Sequence, residues 1–431
     1  MSYQAQTREL ELSENEPKEG CDTGQRKITA DQARVLFSGI CTLIVTVGVA
    51  RFAYTTLLPV MQQQTWLNEA SGGWLATSIY LGYMCGVLLA ASTNSLERKY
   101  RLLRLYLVLS VLTSVAMAWT DDLILWSVLR FIAGVCGSGG LILSSGLILK
   151  WLIKHRYPGE LGIHFSGAGL SIAGAALLVE GMSAFDLNWQ EQWIGFAVMA
   201  AVFAIPAWFW SPHPGPDNAG ATVDTSDDRP PSRTFFLLML AAYFCAGYGY
   251  VVDATFIVDI VERQEALTGQ GQIVFLLIGL AATPAVILWD RVARRTGYVK
   301  ALLMAYLLQI AGIILPVLDN SLTTVMFSAL LFGGTFMASV SLVLTMAGRM
   351  YPSNPAKMMG KMTLAYGVAQ IVAPVLTGVL AQSSGHYDTG LYIAAVVVFI
   401  GSLLLMGLLY LEQKESRDEV IAETMVCCQQ K

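Results

Sequence analysis

Gly48-Val49-Ala50-Arg51-Phe52-Ala53-Tyr54-Thr55-Thr56-Leu57-Leu58-Pro59 lies inside an apolar run, 35–61. That run is long enough to cross a bilayer as a helix. Arg51 stands near its middle, where a charge costs roughly 3 kcal/mol on insertion scales and marks a candidate functional site. Helical spacing puts Gly48, Arg51, Tyr54, Thr55 and Leu58 on one face. That face offers a guanidinium, a phenol and a hydroxyl. Such a set suits an anion with further polar groups, because the arginine fork can bond two carboxylate oxygens at once. The plainer alternative is a buried interhelical ion pair or a backbone clamp.

Eleven more runs of this kind follow, at about 72–94, 102–119, 123–150, 160–183, 191–210, 233–257, 271–289, 299–318, 322–348, 359–382 and 390–411. They are too long and too weakly alternating for barrel strands. Connections as short as Thr120–Asp122 and Asp319–Ser321 force antiparallel neighbours. The 431 residues are 55% hydrophobic and 13% charged, with a mean hydropathy of +0.55. A soluble domain carries about 25% charged residues. A soluble enzyme, a nucleic-acid binder and a disordered scaffold are therefore excluded. The net charge of −4 gives no basic footprint for nucleic acid. The expected fold is an all-α integral membrane protein with 12 transmembrane helices.

Orientation follows from the positive charges. With the N-terminus in the cytoplasm, 24 of the 27 Lys and Arg fall on inside segments or helix ends. Arg51 and Arg130 fall within helices, and Arg263 on an outside loop. Both termini are thus expected in the cytoplasm. Residues 1–34 are polar, without the short apolar run of a signal peptide. The segment 211–232, rich in Pro, Gly and Asp, reads as a cytoplasmic linker. It separates a six-helix bundle at 35–210 from another at 233–411, leaving tails at 1–34 and 412–431. The seven cysteines outline no disulfide framework: Cys41, Cys85, Cys136 and Cys245 lie in apolar runs and read as packing. No metal-ligand spacing and no cofactor motif is present.

The two bundles read as weak repeats, about 200 residues apart. Gly48 to Pro59 answers Gly247 to Asp259. Glu97-Arg98-Lys99-Tyr100-Arg101 answers Asp290-Arg291-Val292-Ala293-Arg294-Arg295, and Phe131-Ile132-Ala133-Gly134 answers Leu331-Phe332-Gly333-Gly334. Such duplication is common in secondary transporters, which bind substrate near mid-membrane between the repeats. Twelve spans, a long central loop and these patterns resemble the major facilitator superfamily over nearly the whole chain. The Gly48–Pro59 stretch, with Gly249-Tyr250 to Thr255-Phe256, further resembles its bacterial YbfB/YjiJ-type subfamily. That resemblance implies two pseudo-symmetric six-helix bundles, a first helix lining a central cavity, and residence in a bacterial inner membrane.

The remaining intramembrane polar groups are the other candidates. Arg130-Phe131-Ile132-Ala133-Gly134 resembles the superfamily's fourth-helix arginine motif, which implies a role in proton coupling or in ordering the bundle. Asp253 is close to the repeat mate of Arg51. An Asp253–Arg51 pair could alternate with substrate- or proton-bound forms, although Asp253 could instead lock an outer gate. Asp259, at the helix end, is expected in solvent. Glu180 is a second protonatable carboxylate or a vestibule residue, and His164 reads as hydrogen-bonded packing. Gly167, Gly169, Gly174 and Ala175, with Gly367, Ala373 and Pro374, read as close helix packing. Asp290, Arg291, Arg294, Arg295 and Gly297 resemble the superfamily's signature loop, which implies gating. Trp74, Tyr80, Tyr83, Tyr250, Gln309, Tyr366 and Gln370 complete a candidate cavity.

The expected function is a secondary active transporter, not an enzyme. It would work as a monomer by alternating access, coupled to protons, on a small carboxylate-like anion. Proton-driven efflux of a drug or metabolite is the alternative. A membrane sensor of transporter ancestry is another, but it would normally carry a larger cytoplasmic domain.

Overall fold

The computed structural model describes residues 30–93, 95–155, 157, 161–213, 231–350 and 355–429. The expected N-terminal tail and central linker lie largely outside these residues. Arg34–Lys431 forms one compact unit. Among the described residues, twelve helices are long and apolar enough to cross a membrane. They are α1 (Ala30–Gln64), α2 (Glu69–Ser92), α3 (Leu96–Met117), α4 (Leu123–Lys154), α5 (Gly162–Ser183), α6 (Trp189–Phe209), α7 (Arg233–Glu262), α8 (Gly271–Thr296), α9 (Tyr298–Leu318), α10 (Leu322–Met350), α11 (Pro355–Ser384) and α12 (Asp388–Gln429). The last is longer than its apolar part, Asp388–Leu411, and carries the helix through what reads as a polar tail.

Local chemistry sets the helix ends. Asn68 and Ser71 form a reciprocal capping box at the start of α2, and Asn188 and Glu191 form another at α6. Each satisfies backbone donors that a helix start leaves open. Gly297, at φ 91°, makes the tight corner between α8 and α9, a conformation that a Cβ disfavours.

Lipid tails are as apolar as leucine, so membrane helices gain little from the hydrophobic effect and associate through close packing of small residues. That packing repeats six helices apart. A Cβ on Gly82 in α2 would stand 1.9 Å from the Phe131 carbonyl oxygen in α4, and one on Gly134 in α4 would meet Ile79 O equally closely. In the same way Gly333 of α10 sits on the backbone of Ile278 in α8. Gly169 of α5 packs on Gly279 and Thr283 of α8, while Gly73 of α2 packs on Pro374 and Gly378 of α11. Large apolar side chains such as Leu88, Ile124, Val198 and Phe399 are exposed around the outside, as a lipid-facing surface requires.

Helix α1 departs from regular geometry between Ile44 and Phe52, where it widens into a π-helix. The Ala53 N–H reaches back five residues to the Gly48 carbonyl. One inserted residue turns the two parts of a helix by about 100° relative to each other. The single face expected for Gly48 through Leu58 is therefore divided: Gly48 packs against Ser171 of α5, while Arg51, Tyr54 and Thr55 share a cavity.

Candidate functional site

Arg51 points into an aromatic box. Its Cζ lies 4.9 Å from the ring centres of Tyr80 and Tyr250, 5.3 Å from Tyr83 and 5.4 Å from Phe52. Ring faces attract a cation, so four aromatic rings from α1, α2 and α7 offset part of the cost of burying this charge. No carboxylate pairs with it among the ion pairs of the described residues. Its Nε and Nη2 are buried and lack a hydrogen-bond partner. These two atoms form the side-on edge of the guanidinium, whose parallel N–H groups match the two oxygens of a carboxylate. A narrow cavity, with room for about one water molecule, opens beside it. Phe52, Tyr54, Thr55, Ala76, Ile79, Tyr80 and Thr255 complete its lining.

Several of the expected site hydroxyls are already engaged. Tyr54 donates to the Gly72 carbonyl at 2.8 Å, and Thr55 donates across to the Ala254 carbonyl at 2.9 Å. The Tyr80 and Thr255 hydroxyls lie 3.3 Å apart. Tyr54 and Thr55 thus shape the cavity wall and tie α1 to its neighbours. The Tyr250 hydroxyl is buried without a partner, and its ring stacks on Phe336 at 5.1 Å and on Tyr366 at 5.9 Å. Gln370 is fully buried with both amide atoms unpartnered, and Gln309 is buried with its oxygen unpartnered.

Arg130 is 1% exposed and likewise meets no carboxylate among the described residues. Its Nη2 donates to the Arg51 carbonyl at 3.3 Å. Its Cζ lies over the rings of Tyr54, at 4.9 Å, and Trp193, at 5.6 Å. The second intramembrane arginine therefore holds the backbone of the first, at the end of the widened turn.

The carboxylates fall differently from expectation. Asp253 is 1% exposed, has both oxygens unpartnered and forms no ion pair with Arg51. Asp259 was expected in solvent, but it is 4% exposed. It accepts from the Tyr387 hydroxyl at 2.5 Å and from Arg263 Nε at 3.0 Å. Tyr387, which stands just ahead of α12, carried no sequence signal for this pairing. Glu180 is exposed, so it lacks the buried surroundings of a proton carrier. Trp74 is 54% exposed and stands outside the cavity. Cys85 is exposed too, whereas Cys41, Cys136 and Cys245 are buried as expected. His164 is fully buried, with Nε2 3.0 Å from Ser145 Oγ. The segment expected as the signature loop is helical: Asp290 pairs with Arg294 at 3.2 Å within the last turns of α8, and Arg291 and Arg295 are exposed.

Comparison with known proteins identifies the setting of this geometry. Residues 43–406 match the family described as "Uncharacterised MFS-type transporter YbfB". The chain belongs to this family of the major facilitator superfamily. Maltose permease of Geobacillus stearothermophilus is 27% identical over 315 residues, 70% of this chain and 77% of that protein. The probable sulfoacetate transporter SauU of Cupriavidus necator is 22% identical over 420 residues, 89% of this chain and 95% of that protein. A crystal structure of a single-substitution mutant of the nucleoside transporter NupG superposes with a TM-score of 0.65 at 12% identity, covering 88% of this chain and 99% of that one; this likeness shows the fold alone. The protein is a multi-pass membrane transporter of the major facilitator type, and its relatives are transporters rather than enzymes.

Proposed function

We propose that this transporter carries a small organic anion with a planar carboxylate-like group, bound side-on by Arg51. The observation that carries the reading is the unpartnered, buried Nε–Nη2 edge of Arg51 inside its aromatic box. A buried guanidinium without a counter-ion is costly, and an entering anion removes that cost. The cavity lining holds Arg51 and no carboxylate, which favours an anion over the cationic drug of the efflux alternative. Tyr80, Tyr250 and Gln370 complete the proposed site, with the Tyr54 ring and Thr55 in its wall.

Asp253 is the proposed proton carrier. It is buried and unpartnered, and a carboxylate held without partners away from water is costly to keep charged. Arg130 supports the site through the Arg51 carbonyl. The two six-helix halves, 35–210 and 233–411, would rock about this centre, with Asp290, Arg291, Arg294 and Arg295 gating from the end of α8. The distribution of Lys and Arg supports cytoplasmic termini in a bacterial inner membrane. The protein would act as a monomer.

Proteoliposomes with an imposed proton gradient test the reading. Radiolabelled monocarboxylates should accumulate, and the thermal unfolding midpoint of the purified protein should rise with the same compounds, since a ligand that prefers the folded state stabilises it. Saturable accumulation of organic cations, with none of any acid, would overturn it.

A further inference from the structure

A second charged cluster lies away from Arg51, at the end of the bundle where α1 gives way to α2. Arg263 Nη1 is 2.7 Å from Glu69 Oε1, and its Nε is 3.0 Å from Asp259 Oδ1. Its Cζ lies 5.7 Å from the Tyr387 ring, and the Tyr387 hydroxyl completes the group on Asp259. Four residues from α2, α7, the segment following α7 and the segment before α12 thus meet at one point. Glu69–Arg263 is an ion pair that joins α1–α6 to α7–α12, whereas Arg101–Glu97, Arg263–Asp259, Arg294–Asp290 and His386–Asp388 are local in sequence.

Both sides of this pair are held in place. The Glu69 carbonyl sits against Gly378 of α11, where an added Cβ would stand 2.8 Å away. Next to Arg263, Glu262 accepts from the Gly269 and Gly271 N–H groups at 2.8 and 2.9 Å, which ties down the turn that follows. Neutral cross-links also join the two halves around the cavity. Gln272 Nε2 donates to Thr56 O at 3.0 Å, and Thr77 donates to Ile371 O at 3.1 Å. Ala76 lines the cavity and lies about 10 Å along α2 from Glu69, at 1.5 Å per residue.

We propose that Glu69 and Arg263 form a latch, anchored by Asp259 and Tyr387, that closes the Arg51 cavity toward this face. A bidentate arginine can hold two carboxylates from two moving parts at once. Separating α2 from α7 strips Glu69 from Arg263 while Asp259, one helical turn away, keeps it paired. Arg263 thus stays neutralised in both states, and Glu69, already partly exposed, is left to the water that enters as the halves part, so the latch can open. Burial works against the Arg263 charge, but Asp259, then Tyr387 and Glu69, outweigh it and hold its pKa above the ordinary guanidinium value. It therefore stays charged across accessible pH. The latch depends on the transport fold and not on the identity of the substrate.

Thiol accessibility tests it without a substrate. Ala76→Cys in the full chain is labelled with a membrane-impermeant thiol reagent, in right-side-out and in inverted vesicles, against the chain without that cysteine as background. Thr268→Cys, at an exposed position, reports which vesicles present the Glu69 face. Glu69→Gln, Arg263→Gln and Glu69→Lys should each speed labelling from that face on the order of tenfold, the equivalent of about 1.4 kcal/mol. The Glu69→Gln/Arg263→Gln double variant should be no faster than the faster single. Unchanged labelling from that face in Glu69→Lys would overturn the latch. So would equal acceleration from both faces, which reports a loosened bundle, or strictly additive effects in the double variant.

Discussion

At the scale of single residues the consequential group is Arg51. Its side-on edge predicts a sharp dependence on guanidinium geometry. Arg51→Lys keeps the charge but loses the paired N–H groups, so uptake efficiency of a transported acid should fall roughly 10- to 100-fold. Arg51→Ala should reduce it further, and unchanged uptake would remove the residue from the binding site. Tyr250 separates ring from hydroxyl. Tyr250→Phe keeps the stacking on Phe336 and Tyr366, so any loss should appear as a change in KM. Tyr250→Ala also removes one face of the aromatic box, and its loss should be larger. Asp253→Asn removes the proposed proton site while keeping its shape. It should retain exchange of substrate across the membrane but lose accumulation driven by a proton gradient; normal gradient-driven accumulation would exclude an essential carrier there.

At the scale of the element, α1 and its partner α4 matter most. The π segment sets the direction in which Arg51 leaves the helix, and Arg130 binds the carbonyl at its end. Arg130→Lys cannot reproduce both the contact with Arg51 O and the stack over Tyr54 and Trp193. Its defect should therefore resemble a mild Arg51 defect, with KM raised more than the maximal rate is lowered. Helix packing is testable separately. Gly82→Val would drive a side chain into the Phe131 carbonyl and force α2 from α4. Overpacking of this kind costs about 1–3 kcal/mol, so the thermal midpoint should drop. Gly146→Ala, inside α4 where nothing lies within 4 Å of the new methyl group, should hold the midpoint or raise it slightly.

At the scale of the whole molecule, the close approaches of α5 on α8 and α2 on α11 are made by small residues on smooth helix faces. Such contacts carry few directional bonds, so they can slide or part at low cost. The charged cluster around Arg263 is directional by contrast. It therefore gives a conformation its stability, and its rupture should change which face of the protein is open.

Much of this was legible in the chain itself. Hydrophobic runs longer than about 20 residues admit one reading in a bilayer, because every backbone group must be bonded within its own segment. The twelve helices followed from that requirement, and Arg51, Arg130 and Asp253 stood out as charges inside them. Spacing did not reveal the side on which each group would act. The phase of α1 changes at the π segment, which no periodicity in 44–52 announces, so Gly48 and Arg51 part company. Arg263, one partner of Asp259, is a single helical turn away, but the other, Tyr387, comes from far along the chain, so an aspartate expected in water is buried instead. Arg51 and Asp253 suggested a pair, yet neither meets the other. The sequence determined what must cross the membrane and which charges are too costly to be there without purpose. Only the tertiary structure decided which of those charges meet, because pairing depends on atoms brought within about 3 Å by helix packing, and a linear pattern holds no record of that distance.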